Sequence, residues 1–599
     1  MSKNRYEIHN SGIFTIILLL AATLFVSSCV SRPNSEKSVK NVMNKVITEL
    51  YKNSSPTDLS KLDYDNSIAL FSTVELKVLA TQHWMFDVNV PVIVSVIRSQ
   101  EQKIVPFWLE KNGFKKTLLT VKNEQTTYEI WKKSFPSGRV GLGINGLENY
   151  SLHYFVSVAP QNTNDQLVLS NFFPADQFVG VLENGAFTYH DWDELVLQDI
   201  PVEMKGEKLL TTVRGRGVES HLVGAFRKTE YPSSPQPDQI LLTWSSDPSN
   251  SIDIQWRTDT TVNLKNLIYR EQGKTSETSI SANTIQMEDQ LLMNDRYIHH
   301  YTANLKDLKP GTTYQYKIDI QTDWTKNHSF RTAQKDSSFS FAWFGDTHNS
   351  SKYGQILQKA VTDHPDISFY SIAGDLVSDG LHRNQWDDLL EYSKPVVSHF
   401  PLMAVPGNHD NRSGLGAQTF RDEFSYPQNG PDGVPKEQTY SFTYKNALFL
   451  MIDATSPMEP QTKWIEQQLA QSKATWKFAM FHFPPYNWEE PYFNIQKDWV
   501  PLFDKYHLDM VFNGHIHYYM RSKPMKGGKV VGSYNDGTAY IISVGIPNRP
   551  HQITDEPYAV VRDTEGHLYQ YLKIQGNKLS YESVNFENKI IDKFSIVKK

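Results

Sequence analysis

Residues 339–348 read FSFAWFGDTH, a largely apolar run that ends in Gly345-Asp346-Thr347-His348. A short apolar run closed by a turn signal suits a buried strand, and a glycine lets the chain turn sharply at its end. The same grammar recurs downstream. Ile367–Ala373 leads into Gly374-Asp375, and Leu402–Val405 into Gly407-Asn408-His409-Asp410. Phe478–Phe481 leads into His482, and Leu508–Phe512 into Gly514-His515-Ile516-His517. A sixth run, Ala447–Ile452, carries no such ending, and helical stretches lie between several runs, at 352–363 and 460–472. Strands alternating with helices predict an α/β domain over 336–599, with a ligand site at the carboxyl ends of its strands.

Upstream the pattern is β-like. Ile252, Ile254 and Trp256 alternate with polar residues, as do Tyr314, Tyr316, Ile318 and Ile320. The approach Leu305-Lys-Asp-Leu308-Lys-Pro310-Gly311-Thr-Thr-Tyr314 resembles the tyrosine corner of fibronectin type III domains, which predicts a β-sandwich over 238–333. The segment 231–237 (YPSSPQP) marks the boundary before it. Further upstream, Val92, Val94 and Val96 alternate, as do Leu152, Tyr154, Val156 and Val158, so 66–230 is expected to be a β-rich domain. Gly141-Leu-Gly143-Ile-Asn-Gly146 matches a dinucleotide-binding fingerprint, but β-like alternation resumes within a few residues, so the glycines are read as strand and turn. Val39, Val42, Met43, Val46 and Leu50 recur at helical spacing, which predicts a short helix within a tether at 29–65.

The N-terminus reads as an address. Residues 13–26 (IFTIILLLAATLFV) follow Lys3 and Arg5 and are too short to span a bilayer as a helix. The run ends in Val26-Ser27-Ser28-Cys29, and Cys29 is the one cysteine among 599 residues. This resembles a bacterial lipobox: residues 1–28 would be removed, and Cys29 would carry a lipid anchor. Ser31 is not the Asp of inner-membrane retention, so an exported lipoprotein, periplasmic or cell-surface with the outer membrane favoured, is expected. Hydrophobic residues make up 39% and charged residues 21%, which excludes a largely disordered chain. The net charge of −6 gives no reason to expect nucleic-acid binding.

Asp346, His348, Asp375, Asn408, His482, His515 and His517 are seven ligand candidates, too many for one tetrahedral zinc. They suit two ions sharing a bridging carboxylate, with positions left for water and substrate. Imidazole mixed with carboxylate and amide oxygen favours Fe, Zn or Mn.

The ordered set DxH…GD…GNHD…H…GHxH resembles the calcineurin-like metallophosphoesterase superfamily, and the sandwich before it makes 238–599 similar to the purple acid phosphatase branch. The resemblance implies two central mixed sheets flanked by helices. It assigns Asp346, His348, Asp375 and His517 to one metal, and Asp375, Asn408, His482 and His515 to the other. It makes His409 the histidine that contacts phosphate and protonates the leaving oxygen, with Asp410 orienting it by a hydrogen bond or, alternatively, serving a purely structural role. The implied reaction is hydrolysis of a small phosphate ester by metal-bound hydroxide, phosphomonoesters first and phosphodiesters as the alternative. A surface glycan- or partner-binding lipoprotein with a degenerate catalytic domain is the alternative from another class, and the complete ligand set argues for the enzyme. One position departs from the branch: Ser378 stands where the purple enzymes have a tyrosine, three residues after the bridging Asp375. Arg412, as a phosphate clamp, and Tyr486, at the entrance, are the candidates for substrate contact, with an exposed loop arginine and a packing tyrosine as the alternative readings.

Overall fold

The computed structural model describes residues 38–149, 152–175, 177–190, 195–263, 265–318, 328–394, 396–412, 414–489, 492–543, 554–564 and 566–598. The leader and Cys29 lie outside the described residues. Among the described residues no helix is long and apolar enough to cross a membrane.

The N-terminal region is built on a six-stranded antiparallel sheet in which Val92–Ser99 lies between Thr127–Phe135 and Phe155–Pro160. Its alternating valines face one way: Val94 pairs with Val158 and Val96 with Val156, all buried. The glycines of the decoy fingerprint serve close packing. A Cβ on Gly141 would stand 2.3 Å from the Thr81 carbonyl oxygen, and one on Gly143 would stand 2.5 Å from the Trp108 ring.

The helix Val39–Asn53 starts where Ser38 caps the Asn41 amide, and it buries Val39, Val42, Met43, Val46, Ile47 and Leu50. That face packs on Leu79, Ile144, Leu147, Leu222 and Phe226. It is a wall of the domain core, where a tether was expected, because an amphipathic face of this size is stable only when it is covered. Residues 231–237 are likewise pinned: the Ser233 amide and hydroxyl donate to the Asp295 carboxylate at 2.9 and 2.6 Å.

The middle region is a sandwich of two four-stranded antiparallel sheets, one of them containing Asp238–Thr243, Ile252–Asp259 and Tyr297–Leu305. The Tyr314 hydroxyl accepts from the Lys309 amide at 2.9 Å, the bond that a tyrosine corner makes. Behind it stand a six-stranded and a seven-stranded mixed sheet. Ser338–Phe344, Ile367–Ala373 and Leu402–Val405 run parallel in the first, and Ala447–Met451, Trp476–Met480 and Met510–Asn513 run parallel in the second. The sheets meet through aromatics: Phe341 stacks on Phe369 (5.1 Å between centroids) and meets Phe449 of the opposite sheet at 5.2 Å. Helices Ser351–Asp363, Arg383–Tyr392 and Met458–Gln471 cover the sheets.

Sandwich and α/β domain are locked by charge. Arg257, 1% exposed, donates from Nη1 to Asp387 Oδ1 at 2.5 Å and from Nε to Asp238 Oδ1 at 2.8 Å. Asp387 sits on the helix Arg383–Tyr392 and is itself buried, so removing Arg257 strands a carboxylate in the interior. Arg257→Met is expected to lower unfolding free energy by about 3–5 kcal/mol in denaturant titration.

Candidate dinuclear metal centre

All seven ligand candidates converge beyond the carboxyl ends of the parallel strands. The two carboxylates are used alike. Asp346 Oδ1 accepts from the His515 amide at 2.7 Å, which leaves Oδ2 facing His517 Nε2 at 3.3 Å and His348 Nε2 at 3.7 Å. Asp375 Oδ1 accepts from the His409 amide at 2.9 Å, which leaves Oδ2 facing His482 Nε2 at 3.1 Å and His348 Nε2 at 4.0 Å. His482 Nε2 also lies 3.0 Å from Asn408 Oδ1, while its Nδ1 lies 2.8 Å from the Ala373 carbonyl oxygen. That carbonyl accepts the Nδ1 proton and so fixes the imidazole with Nε2 inward. The ligand atoms of Asp346, His348 and His517 lie within 4.8 Å of one another, and so do those of Asp375, His482 and His515.

Backbone geometry explains how neighbouring residues can serve one point. His348, Asn349, Asp375 and His515 have φ of +43°, +44°, +50° and +70°, the left-handed region that side chains other than glycine seldom adopt. Such conformations cluster where function demands them. Glycine supplies room: a Cβ on Gly374 would stand 2.4 Å from His482 Nδ1, one on Gly407 2.3 Å from Asp375 Oδ1, and one on Gly514 2.2 Å from Asp346 Oδ1.

The donor set fits metal ions. Asp346 Oδ2 and His348 Nε2 are buried with no hydrogen-bond partner, a costly state that a coordinated cation relieves. The field also calls for positive charge. Burial opposes a charge on His482, yet Asp375 and Asp346 overcome it and lift the imidazole to about 9. Burial likewise opposes ionisation of Asp375, and His482 and His409 nonetheless hold it well below the usual carboxylate range.

Three expectations about the neighbours change. Asp410 does not orient His409: its carboxylate accepts from the amides of Gly407, Leu376 and Val377 at 2.8, 3.2 and 3.1 Å, tying the two ligand loops together. Burial and the Asp375 charge push Asp410 up to about 7, while the three amides favour its anion. The partner of His409 is the Ser378 carbonyl oxygen, 2.8 Å from Nδ1, a main-chain atom that no residue type announces. Arg412 is not a free clamp, since its Nε pairs with Asp379 Oδ2 at 3.0 Å. Tyr486 is core, packed edge-on against Tyr540 at 4.7 Å between centroids. The aromatics beside the centre are instead Phe483, 4.9 Å from His515 and 5.3 Å from His482 between centroids, and Tyr492, stacked on Phe483 (4.9 Å) and edge-on to His515 (5.8 Å).

Comparison with known proteins agrees with this architecture. Residues 339–519 match the calcineurin-like phosphoesterase family, and residues 237–332 match the purple acid phosphatase N-terminal domain. Probable purple acid phosphatase 20 of Arabidopsis thaliana is 25% identical over 48% of this chain and 66% of its own length. Fe(3+)-Zn(2+) purple acid phosphatase 12 of the same plant is 23% identical over 49% and 67%. The match thus spans about two thirds of these relatives. The solved structure of purple acid phosphatase PPD1 from yellow lupin (Lupinus luteus) seeds superposes with a TM-score of 0.52 at 15% identity, covering 87% of this chain and 91% of that one, which shows a shared fold. The chain thus carries a calcineurin-like phosphoesterase domain preceded by a purple acid phosphatase N-terminal domain, and its homologues include purple acid phosphatases.

Proposed function

We propose that this chain hydrolyses phosphate esters, phosphomonoesters foremost, at a centre of two metal ions drawn from Fe, Zn or Mn. The observation that carries the reading is Asp375, whose free oxygen lies between His348 on one side and His482 on the other. When bound, the ions supply Lewis-acid activation of water and of the ester's nonbridging oxygens. The protein's residues do the rest. Ser378 holds the Nδ1 proton of His409 and turns Nε2 to within 4.0 Å of Asp375 Oδ2. From there His409 delivers a proton to the departing alkoxide as the phosphorus–oxygen bond breaks. Asp410 keeps the loops carrying Asp375 and Asn408 in register. The sandwich is read as fibronectin type III-like on the strength of the Tyr314 corner. A phosphate-release screen with metal-reconstituted protein tests the reaction: monoesters are expected to turn over faster than diesters, the reverse order would make the chain a phosphodiesterase, and release from neither would overturn the reading.

Ser378 has no phenolate to offer iron, so protein loaded with ferric iron should show no strong visible charge-transfer band. A violet band that bleaches on reduction would mean that another tyrosine ligates. For the address, we propose a lipid-anchored exported protein. The apolar run ending at Cys29 supports this, and Cys29→Ser is expected to abolish labelling with a fatty-acid analogue. Equal labelling of the variant would refute it.

A further inference from the structure

A cavity of about 660 Å³ opens where the N-terminal region, the sandwich and the α/β domain meet. The helix Val39–Asn53 contributes Lys40 and Met43, the sandwich Gln290 and Leu291, and the α/β domain His382 and Arg412. Its volume is that of a small-molecule site. Neither His409 nor any of the seven ligand candidates lines it, so it is a space separate from the metal centre.

Two nitrogen atoms of its lining residues are unmet. His221 is 7% exposed, and its Nε2 is buried with no hydrogen-bond partner in the protein. Burial, reinforced by the charge of Arg412, pushes the ring down to about 3, so it is a neutral hydrogen-bonding group. Arg227 donates from Nη1 to Asn384 Oδ1 at 2.6 Å and from Nη2 to Asp289 Oδ1 at 2.8 Å, while its Nε is buried with no partner. Buried polar atoms of this kind call for a water or a ligand. A guanidinium N–H can only donate, so the occupant offers an acceptor.

The charge of the wall points the same way. Arg227 pairs with Asp289 at 2.8 Å, Arg412 with Asp379 at 3.0 Å, and Glu288 with Arg296 at 2.7 Å. Burial pushes the Glu219 carboxyl up, against the pull of Arg216 and Lys40. With Arg216 set against Glu219, Lys40 is left over: it is exposed and makes no ion pair among the described residues. The cavity thus carries one cation in excess, which favours a monoanion over a neutral or cationic ligand.

The rest of the wall is largely aliphatic. Val218, Leu291 and Leu381 are half-buried and Leu415 is exposed, and all four line the cavity. Apolar surface of this kind gains from being covered. None of the described lining residues is Phe, Tyr or Trp, so a nucleobase would lack the ring it stacks on.

We propose that this cavity is a second ligand site, which takes a small amphipathic monoanion whose acidic group answers the excess charge and the unmet donor, and whose aliphatic body covers Leu291, Leu381 and Leu415. The site is independent of the hydrolytic reaction proposed above.

Titration calorimetry on the metal-loaded protein tests it, with octanoate and 2-naphthoate as probes and 1-octanol and 2-naphthol as their uncharged counterparts. At least one acid is expected to bind once per chain, about 10-fold tighter than its alcohol, because a hydrogen bond to a charged group outweighs a neutral one. Lys40→Glu is expected to weaken that acid about 10-fold; the position is exposed, and a carboxylate suits the first turn of the helix, so the fold is kept. Gln290→Trp fills the cavity from the sandwich and is expected to weaken the acid by about 10-fold or more. Melting curves matching wild type show that the variants fold, and Asn44→Trp, from the N-terminal region, replaces Gln290→Trp if that variant does not. Acid binding that survives both substitutions would belong elsewhere on the chain, the metal centre included, and would overturn the proposal. So would the lack of saturable binding of either acid, or an alcohol bound as tightly as its acid.

Discussion

Asp375→Ala is expected to cut metal content from about two ions per chain to one or fewer and to lower turnover by about 10³-fold. The reasoning is geometric. Asp375 alone presents one oxygen toward both clusters, at 3.1 Å from His482 Nε2 and 4.0 Å from His348 Nε2. Its removal takes an anion from each cluster at once. Metal activation of a phosphoryl group is worth several kcal/mol, and roughly 4 kcal/mol corresponds to about a thousandfold in rate. Asp375→Asn is the comparison, because an amide oxygen still accepts from the His409 amide and so preserves the loop. It should fold like wild type and fall between the two in metal content. Elemental analysis of dialysed protein measures the effect. Two ions retained in the alanine variant would remove Asp375 as the bridge.

His409→Ala is expected to lose about 10²–10⁴-fold on an alkyl phosphate and visibly less on a nitrophenyl phosphate, with metal content unchanged. An alkoxide leaves poorly without a proton, whereas nitrophenolate leaves readily without one. Some loss should remain on both if the ring also touches phosphate. The test has force because His409 stands close enough to compete as a ligand: its ring nitrogen, His348 and an Asp375 oxygen lie within 4.8 Å of one another. What separates it from the ligands is exposure. Its side chain is 44% exposed, against 0% for His482 and 6% for His348. Loss of metal, or equal slowing of both substrates, would make it a ligand or a structural residue.

The strands and the ligand set were legible because both are local. Ile367–Ala373 and Leu402–Val405 span the same residues as runs and as strands, and ligand-type residues close the runs they serve. For Asp410, Arg412 and Tyr486 the sequence left a functional and a structural reading side by side, because their partners are distant or lack side-chain identity. Asp410 bonds three amides, Arg412 meets an acid 33 positions back, and Tyr486 is covered by Tyr540 and Tyr558. The helix Val39–Asn53 was seen as a helix, but its periodicity carries no information on what it packs against, and so its place beside the catalytic loops stayed hidden.

The three glycines that precede or face the ligands bear on how other chains should be judged. A methyl at position 407 would press within 2.3 Å of Asp375 Oδ1, and one at 514 within 2.2 Å of Asp346 Oδ1. Contacts that short force the carboxylates out of place even when every coordinating residue is retained. A relative with a full complement of aspartates, asparagine and histidines but with alanine at either glycine is therefore expected to hold its metals poorly. Genome surveys that score only the coordinating residues would overlook the difference.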